Sequence, residues 1–241
     1  MDVSIVITTY NYAKFISNCI SSCLGQTGHN LDFEVVVIDD GSSDGTQKII
    51  KKFSDTRLSS RRIENSGIER ASNLGFSIAQ GRYVVRVDAD DTLQPDYLKI
   101  MGDYLDTSNA FIYPNYNVID AFGELIAEIK LPEFNKTEIF RRGDFLASGT
   151  LYRADIVKRF NGYITEPVNG GLENYEFVLR VISSGGRGQH IPFTLFNYRR
   201  HQSNISNIKR EQIIANGQRM FSQLNYGMFS TNEHHPYGLK I

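Results

Sequence analysis

The chain has 241 residues, 41% hydrophobic, 22% charged and 12% aromatic, a composition of a globular protein rather than a disordered or fibrous one. Lysine plus arginine number 26 and aspartate plus glutamate 27, a formal net charge of -1, which argues against a general nucleic-acid binder. No apolar stretch approaches the roughly 18 residues of a membrane-spanning helix. The start, Met1-Asp2-Val3-Ser4, shows no export signal. Cys19 and Cys23, four apart in a predicted helix, read as buried free thiols of a reducing cytoplasm.

The N-terminal half alternates between two periodicities. Val3 to Ile7 is β-branched and apolar, the mark of a buried strand. Phe15, Ile16, Cys19, Ile20, Cys23 and Leu24 then recur at helical spacing. Phe33 to Ile38 reads as a second strand ending in Asp39-Asp40-Gly41-Ser42, and Ser43 as the cap of a helix carrying Ile49, Ile50 and Phe53. A third strand is expected at Leu58 to Ile63. A helix follows Ser66-Gly67, with Ile68, Ala71, Leu74, Gly75 and Ile78 on one face, and Tyr83 to Val87 forms a fourth strand. Such repetition implies parallel pairing through right-handed crossovers.

After about residue 108 the pattern becomes mixed. Phe111-Ile112-Tyr113 and Leu125 to Ile129 read as strands around a turn at Asp120-Ala121-Phe122-Gly123. Helices are expected at Leu151 to Phe160 and Leu172 to Ser184, and a strand at Ile191 to Tyr198. An amphipathic helix is expected from about Ile205 to Met228, its face set by Ile208, Ile213, Ile214, Phe221 and Leu224.

Open parallel sheets bind ligands beyond the carboxyl ends of their strands. Here those ends read Thr8-Thr9-Tyr10-Asn11, Asp39-Asp40-Gly41-Ser42 and Asp88-Ala89-Asp90-Asp91. At an effective ε of about 20, like charges about 4 Å apart repel by about 4 kcal/mol per pair. A hard divalent cation, Mg²⁺ or Mn²⁺, relieves that repulsion and leaves open positions suited to a diphosphate.

Together with Asn65 to Gly75, these motifs resemble the family 2 glycosyltransferases. The likeness is strong over residues 3 to about 100 and patchier through Ser148-Gly149, Phe160-Asn161-Gly162-Tyr163, Leu172 to Glu176 and Tyr198-Arg199-Arg200-His201. It implies an α/β GT-A fold, with a Rossmann-like, mostly parallel central sheet flanked by helices and a mixed C-terminal acceptor half. Residues 1–203 would form one domain, about 1–108 holding the nucleotide sugar and about 109–203 the acceptor, with 204–241 a helical extension. The implied reaction moves a sugar from a nucleotide-diphosphate donor, a UDP-sugar, to a hydroxyl of a glycan or lipid-linked glycan, with inversion. The transferred group would be a hexosyl or N-acetylhexosaminyl unit.

On this resemblance Thr8 and Tyr10 line the nucleotide pocket, and Asp40 accepts from the uracil imino group. Asp88 and Ala89 lie at the donor, with Asp88 holding ribose, and Arg70 approaches the nucleotide. Asp90 binds the metal, with Asp91 a second ligand or an orienting group, and His201 a further ligand. Arg199 or Arg200 are alternatives for neutralising phosphate. The family's acidic pair commonly reads Glu-Asp but here reads Glu173-Asn174, and an amide cannot take a proton at neutral pH. Glu173 is therefore the first substitute as general base and Glu176 the second. The loop Arg141-Arg142-Gly143-Asp144 is a candidate acceptor contact.

Three alternatives remain at this point. One is a non-catalytic nucleotide-sugar-binding homologue, motivated by Asn174. The second is a phosphatase built on Asp88-Ala89-Asp90-Asp91-Thr92-Leu93, and the third a nucleotidyltransferase on the same type of fold. The C-terminal helix, with Lys209, Arg210 and Arg219, would meet a membrane surface, a second subunit or the protein's own core. The expected location is the cytoplasm, free or peripheral at the inner face of a membrane. His234 and His235 receive no role.

Overall fold

The computed structural model describes residues 1–231 apart from 29, 106–107, 143–145, 147, 167–169 and 205–207. Three candidates therefore fall outside the described residues: Gly143 and Asp144 of the arginine loop (with the Arg142 side chain), His234 with His235, and the start of the C-terminal helix.

The N-terminal half follows the expected alternation: β1 (Val3–Thr9), α1 (Ile16–Leu24), β2 (Phe33–Asp39), α2 (Thr46–Ile50), β3 (Leu58–Arg62), α3 (Ile68–Ile78) and β4 (Tyr83–Asp88). β1 is buried along its whole length, as a strand covered on both faces must be. It pairs in parallel with β2 and with β4, and β2 pairs in parallel with β3. In this register Thr9 lies beside Asp39 and Thr8 beside Asp88, so three strands end level at one rim. α3 packs on β1 so closely that a Cβ on Gly75 would stand 2.3 Å from the Val6 side chain.

The second half contains β5 (Thr92–Leu93), α4 (Tyr97–Gly102), β6 (Phe111–Ile119), β7 (Leu125–Ile129), α5 (Lys136–Arg142), β8 (Leu151–Arg153), α6 (Ala154–Arg159), α7 (Glu173–Ser183), β9 (Gly188–Arg199) and α8 (Arg210–Gln223). The sheet runs β3-β2-β1-β4-β8-β6-β9-β5, with β7 pairing β6 off this path. β6 and β9 pair in parallel, whereas β8 enters antiparallel between β4 and β6. The result is a mostly parallel, curled mixed sheet flanked by helices.

Several expectations need correction. Ser43 does not cap α2: its N–H donates to Asn11 Oδ1, while Asp44 Oδ1 accepts from the Thr46 N–H at 3.0 Å. The helix expected at Leu151 to Phe160 begins as β8, because Leu151 and Tyr152 fill the gap between β4 and β6. β6 and β9 run well beyond their apolar cores, since pairing with each other carries their polar ends along. Cys19 and Cys23 are buried free thiols, as expected. No described helix is long and apolar enough to cross a membrane.

The apolar face of α8 is covered from within. Ile213, Met220 and Phe221 are buried, and the Phe221 ring lies 5.2 Å from Phe229, 5.8 Å from Tyr226 and 6.1 Å from Tyr175. These residues face the protein's own core, whereas Ile208, expected on the same face, is 66% exposed.

Candidate active site

At the carboxyl rim of the sheet lies a cavity of about 390 Å³, lined by groups from both halves. Thr8, Thr9, Tyr10 and Tyr12 come from the end of β1 and the turn after it, and Asp40 from the end of β2. Asn65, Gly67 and Glu69 come from the entry to α3, and Arg86, Asp88, Ala89 and Asp90 from β4 and its turn. Ser148, Gly171, Glu173 and Asn174 close one side, and Asn204, Lys209 and Ile213 another. Gly171 has φ +85°, and a Cβ there would stand 2.7 Å from the Ile213 side chain, so glycine lets α8 close down beside α7.

Asp40 is held by the loop before α3. Its Oδ1 accepts from the Ser66 N–H at 2.8 Å and the Ser66 hydroxyl at 3.1 Å, and its Oδ2 accepts from the Gly67 N–H at 3.0 Å. Asn65 adds a long 3.4 Å contact to Oδ2, the weakest of the four and the one a base N–H can replace at least cost. Tyr10 is 47% exposed and offers a ring face at the cavity. Tyr12, by contrast, is half-buried, and its phenol is pushed to a higher pKa by burial and by the Asp90, Asp88 and Asp91 charges.

The β4 carboxylates diverge because a tight turn, closed by the Asp91 N–H donating to Asp88 O at 2.9 Å, sends successive side chains in different directions. Asp88 stays at the cavity beside Arg86, with Arg86 Nη2 donating to its Oδ2 at 3.2 Å. Burial pushes Asp88 up to about 6, Arg86 opposing the shift and the Asp90 and Glu173 charges adding to it. Asp90 also lines the cavity; its Oδ2 lies 2.9 Å from His201 Nε2 and 3.3 Å from Asn204 Nδ2. Asp91 does not line it. Its Oδ1 accepts the Arg199 N–H at 2.8 Å, pinning β9, and its carboxyl is pushed up by burial and then by Asp90 and Asp88.

His201, expected as a further metal ligand, is not among the residues lining the cavity; it sits behind Asp90 through its Nε2, with its ring stacked on Phe15 at 4.8 Å. Arg199 is corrected: Nε donates to Asp90 O and Nη1 to Asp120 O, so the guanidinium braces backbone instead of facing phosphate. Arg70 is corrected too. It pairs with Glu166 at 2.8 Å on the surface, because neighbouring helical positions face about 100° apart and Glu69 takes the inward one.

At the start of α7 the two candidate bases separate. Glu173 lines the cavity, accepting from Arg86 Nη1 at 2.8 Å and from the Gly171 N–H at 2.9 Å. Glu176 is fully buried away from the cavity lining and is gripped by Arg180, Nε to Oε1 at 2.5 Å and Nη2 to Oε2 at 2.9 Å, which removes it from proton transfer. Asn174 is locked: Nδ2 donates to Leu146 O, and Oδ1 accepts from Tyr152 at 2.8 Å and Tyr163 at 3.3 Å.

Does the donor set fit a cation? Among the described residues no three His, Cys, Asp or Glu side chains enclose a metal site. The rim does hold the Asp90 carboxylate and the His201 imidazole within 2.9 Å of each other, oxygen and nitrogen donors that suit Mn²⁺ or Mg²⁺. Two protein ligands leave open positions, the arrangement such ions use when substrate phosphates complete their coordination.

Sequence reasoning missed Arg86, Asn204 and Lys209 as cavity residues. Arg86 carried a signal, a charge inside an otherwise apolar strand that must find buried partners. Asn204 and Lys209 lie beyond the last strand and reach the cavity only through the return of α8.

Comparison with known proteins agrees with this geometry. Residues 4–158 match the family model described as Glycosyl transferase family 2. A chondroitin synthase of Pasteurella multocida is 31% identical over 212 residues, 85% of this chain but 21% of the relative, so the chain spans about a fifth of that protein. The glucosyltransferase WfaP of Escherichia coli, named for transfer from UDP-Glc to GlcNAc-diphosphoundecaprenol, is 28% identical across 88% of this chain and 82% of its own. Among solved structures, Staphylococcus aureus TarS residues 1–349 with UDP-GlcNAc superposes with a TM-score of 0.76 at 20% identity, over 93% of this chain and 66% of that one. The mannosyltransferase PcManGT of Pyrobaculum calidifontis with GDP-Man and Mn²⁺ gives 0.72 at 17%, over 98% and 67%. These likenesses establish the GT-A fold, and the family match set on this cavity excludes the phosphatase reading of the β4 motif. The chain belongs to the family 2 glycosyltransferases.

Proposed function

We propose that the chain transfers a sugar from a UDP-sugar to a hydroxyl of a glycan or lipid-linked glycan, with inversion and with a divalent cation. The observation that carries this reading is the convergence of Asp40, Asp88, Asp90 and Glu173 on one cavity. Tyr10 and Asp40 face the base, the Asn65 contact giving way to the uracil imino N–H. Asp88, at the strand end between base and cation positions, accepts from the ribose hydroxyls. Asp90 and His201 would hold Mg²⁺ or Mn²⁺, which when bound stabilises negative charge on the departing diphosphate. Glu173 accepts the proton from the acceptor hydroxyl as that oxygen attacks the anomeric carbon from the face opposite the leaving group, which inverts the centre. Among the described residues each Glu173 oxygen accepts one hydrogen bond from the protein, and a carboxylate has about four acceptor sites, so capacity remains for the acceptor.

UDP is favoured over other diphosphonucleosides on two grounds. A carboxylate at Asp40 pairs with the uracil imino N–H, which cytosine and adenine lack; guanine and thymine also carry one, so this first ground sets UDP above CDP and ADP donors alone. WfaP and the TarS complex are described with UDP-sugars, although PcManGT is described with GDP-Man. Residues 1–203 then form the transferase domain, with the segment from 204 supplying Asn204, Lys209 and Ile213 to its cavity.

Pyrophosphate release from UTP and a sugar phosphate would mark the nucleotidyltransferase; the locked Asn174 favours the non-catalytic reading as the competitor to the transferase. A panel of labelled nucleotide sugars, with the cation removed by chelation and then restored, separates the two. The transferase reading expects glycoside formation, or slow sugar release to water, that needs the cation and a UDP-sugar. It also expects Glu173→Gln to lose about 10²–10⁴-fold in turnover while UDP affinity stays within about threefold. Binding without turnover in the whole panel, or near-normal turnover of Glu173→Gln, overturns it.

A further inference from the structure

Arg86 is a charged residue in the middle of the sheet, and its side chain is only 8% exposed. Three groups surround it. Nη1 donates to Glu173 Oε1 at 2.8 Å, Nη2 donates to Asp88 Oδ2 at 3.2 Å, and Nε lies 3.2 Å from Asp88 Oδ1. The guanidinium also stands 5.4 Å from the centre of the Tyr163 ring, whose hydroxyl donates to Asn174. Burial works against its charge, and the Asp88, Tyr163 and Glu173 groups more than restore it.

The sheet itself does not call for a charge here, since its ladder hydrogen bonds are made by the backbone; the charge answers the two carboxylates beside it. The guanidinium's planar fork is what the position uses: it reaches two carboxylates at once from fixed directions, which the single ammonium of lysine cannot do. Those carboxylates belong to opposite halves of the chain, Asp88 to β4 and Glu173 to α7. One lies at the donor side of the cavity and the other at the acceptor side.

We propose that Arg86 is a positioning residue that ties donor-side Asp88 to acceptor-side Glu173 and so fixes the Glu173 carboxylate for proton transfer. The inference rests on the assignment of Glu173 as base made above. Arg86 acts through Glu173: among the described residues, removing the fork leaves that carboxylate the hydrogen bond from the Gly171 N–H. The Glu173 side chain then samples other rotamers and turnover falls, while a substitution that keeps a cation beside Asp88 leaves nucleotide affinity little changed.

A kinetic cycle with Arg86→Lys, Glu173→Gln and the double variant tests this. Arg86→Lys keeps a positive charge among the carboxylates and is the variant chosen to fold, its thermal midpoint being read beside the kinetics. It is expected to lose at least about 30-fold in kcat with the donor KM within about threefold. In the Glu173→Gln background, measured as residual turnover over long incubations, the same substitution is expected to change kcat by less than about threefold. Equal losses in both backgrounds, a loss confined to the donor KM, or unchanged kcat in Arg86→Lys overturns the inference. If Arg86→Lys does not fold, Arg86→Met combined with Glu173→Gln removes opposite charges together and is compared with Glu173→Gln alone. Equal turnover supports the inference, and a further tenfold loss overturns it. Normal turnover of Glu173→Gln by itself instead overturns the base assignment and the inference with it, whereas a strongly impaired Glu173→Gln whose residual turnover shows additive losses sinks the inference alone.

Discussion

Restoring the family's usual acid at position 174 is the sharpest test of what the site has become. In Asn174→Asp the amide donor to Leu146 O is lost, and a carboxylate oxygen is set against that carbonyl in a buried place. An unsatisfied buried acceptor costs about 1–3 kcal/mol, and two like-signed oxygens do not lower that figure. The Tyr152 and Tyr163 hydroxyls still donate to the other oxygen, so the loss is partial, and about 2 kcal/mol is the expected deficit. For a chain of this length that lowers the melting midpoint by about 4–8 °C. The deficit must depend on pH. When protonated, the introduced carboxyl donates to Leu146 O as the amide does, so folding raises the pKa of the new acid. A group raised on folding gives its stability below the unfolded value and loses it as pH rises through the folded one. The variant should therefore nearly match the parent at about pH 3, below the unfolded aspartate value of about 3.9, and show its full deficit at about pH 8. Thermal melts at both pH values, with sugar release measured near neutral pH, provide the readout. A variant as stable as the parent at the higher pH, or one that turns over about tenfold faster, refutes the account of Asn174 as a locked structural amide.

Three further outcomes follow from the ion pairs. Glu176→Gln strands Arg180 beside a neutral partner and should cost about 3 kcal/mol by denaturant unfolding, with kcat within a fewfold of the parent because the residue lies outside the cavity lining. Arg70→Ala breaks a pair whose side chains are 53% and 80% exposed, so stability should fall by less than about 1 kcal/mol and the donor KM should not move in steady-state kinetics. Asp2 is held below the usual carboxylate range first by the Arg82 side chain, and Asp55, at about 2, first by Arg57. Both are depressed on folding, so their stability is present above the unfolded value of about 4 and lost as pH falls towards about 2; acid titration by circular dichroism should show that limb, and charge-neutral variants at both positions should flatten it.

The first half of the fold was legible because its physics is local. β1 and β2 are apolar runs, α1 and α3 carry apolar faces at helical spacing, and the acidic ends follow directly from the strands that position them. The second half depends on partners distant in sequence. β8 is three residues long and exists because β4 and β6 leave a slot for it, so its apolar residues read equally well as the start of a helix. The site divides in the same way. Adjacent residues such as Asp90 and Asp91, or Glu69 and Arg70, share a motif but not a direction, and only the turn or helix geometry tells which of them meets the cavity. Glu176 fails for a related reason: its helical spacing from Glu173 is right, but Arg180 one turn further on claims it.

The charge arrangement gives an independent reason to expect a cation. Asp40, Glu69, Asp88, Asp90 and Glu173 line the cavity, against Arg86 and Lys209. Arg86 is already shared between two of the carboxylates, so little of its charge is left for a ligand. With like charges about 4 Å apart repelling by about 4 kcal/mol at an effective ε of about 20, an anionic diphosphate meeting Asp88 and Asp90 is opposed by more than Lys209 alone offsets. Asn174 belongs to the same balance, since an aspartate there would add another negative charge beside Glu173. On the proposed reading, the amide lowers the repulsion that donor binding must overcome, at the cost of leaving one carboxylate, Glu173, to do what the family's acidic pair usually shares.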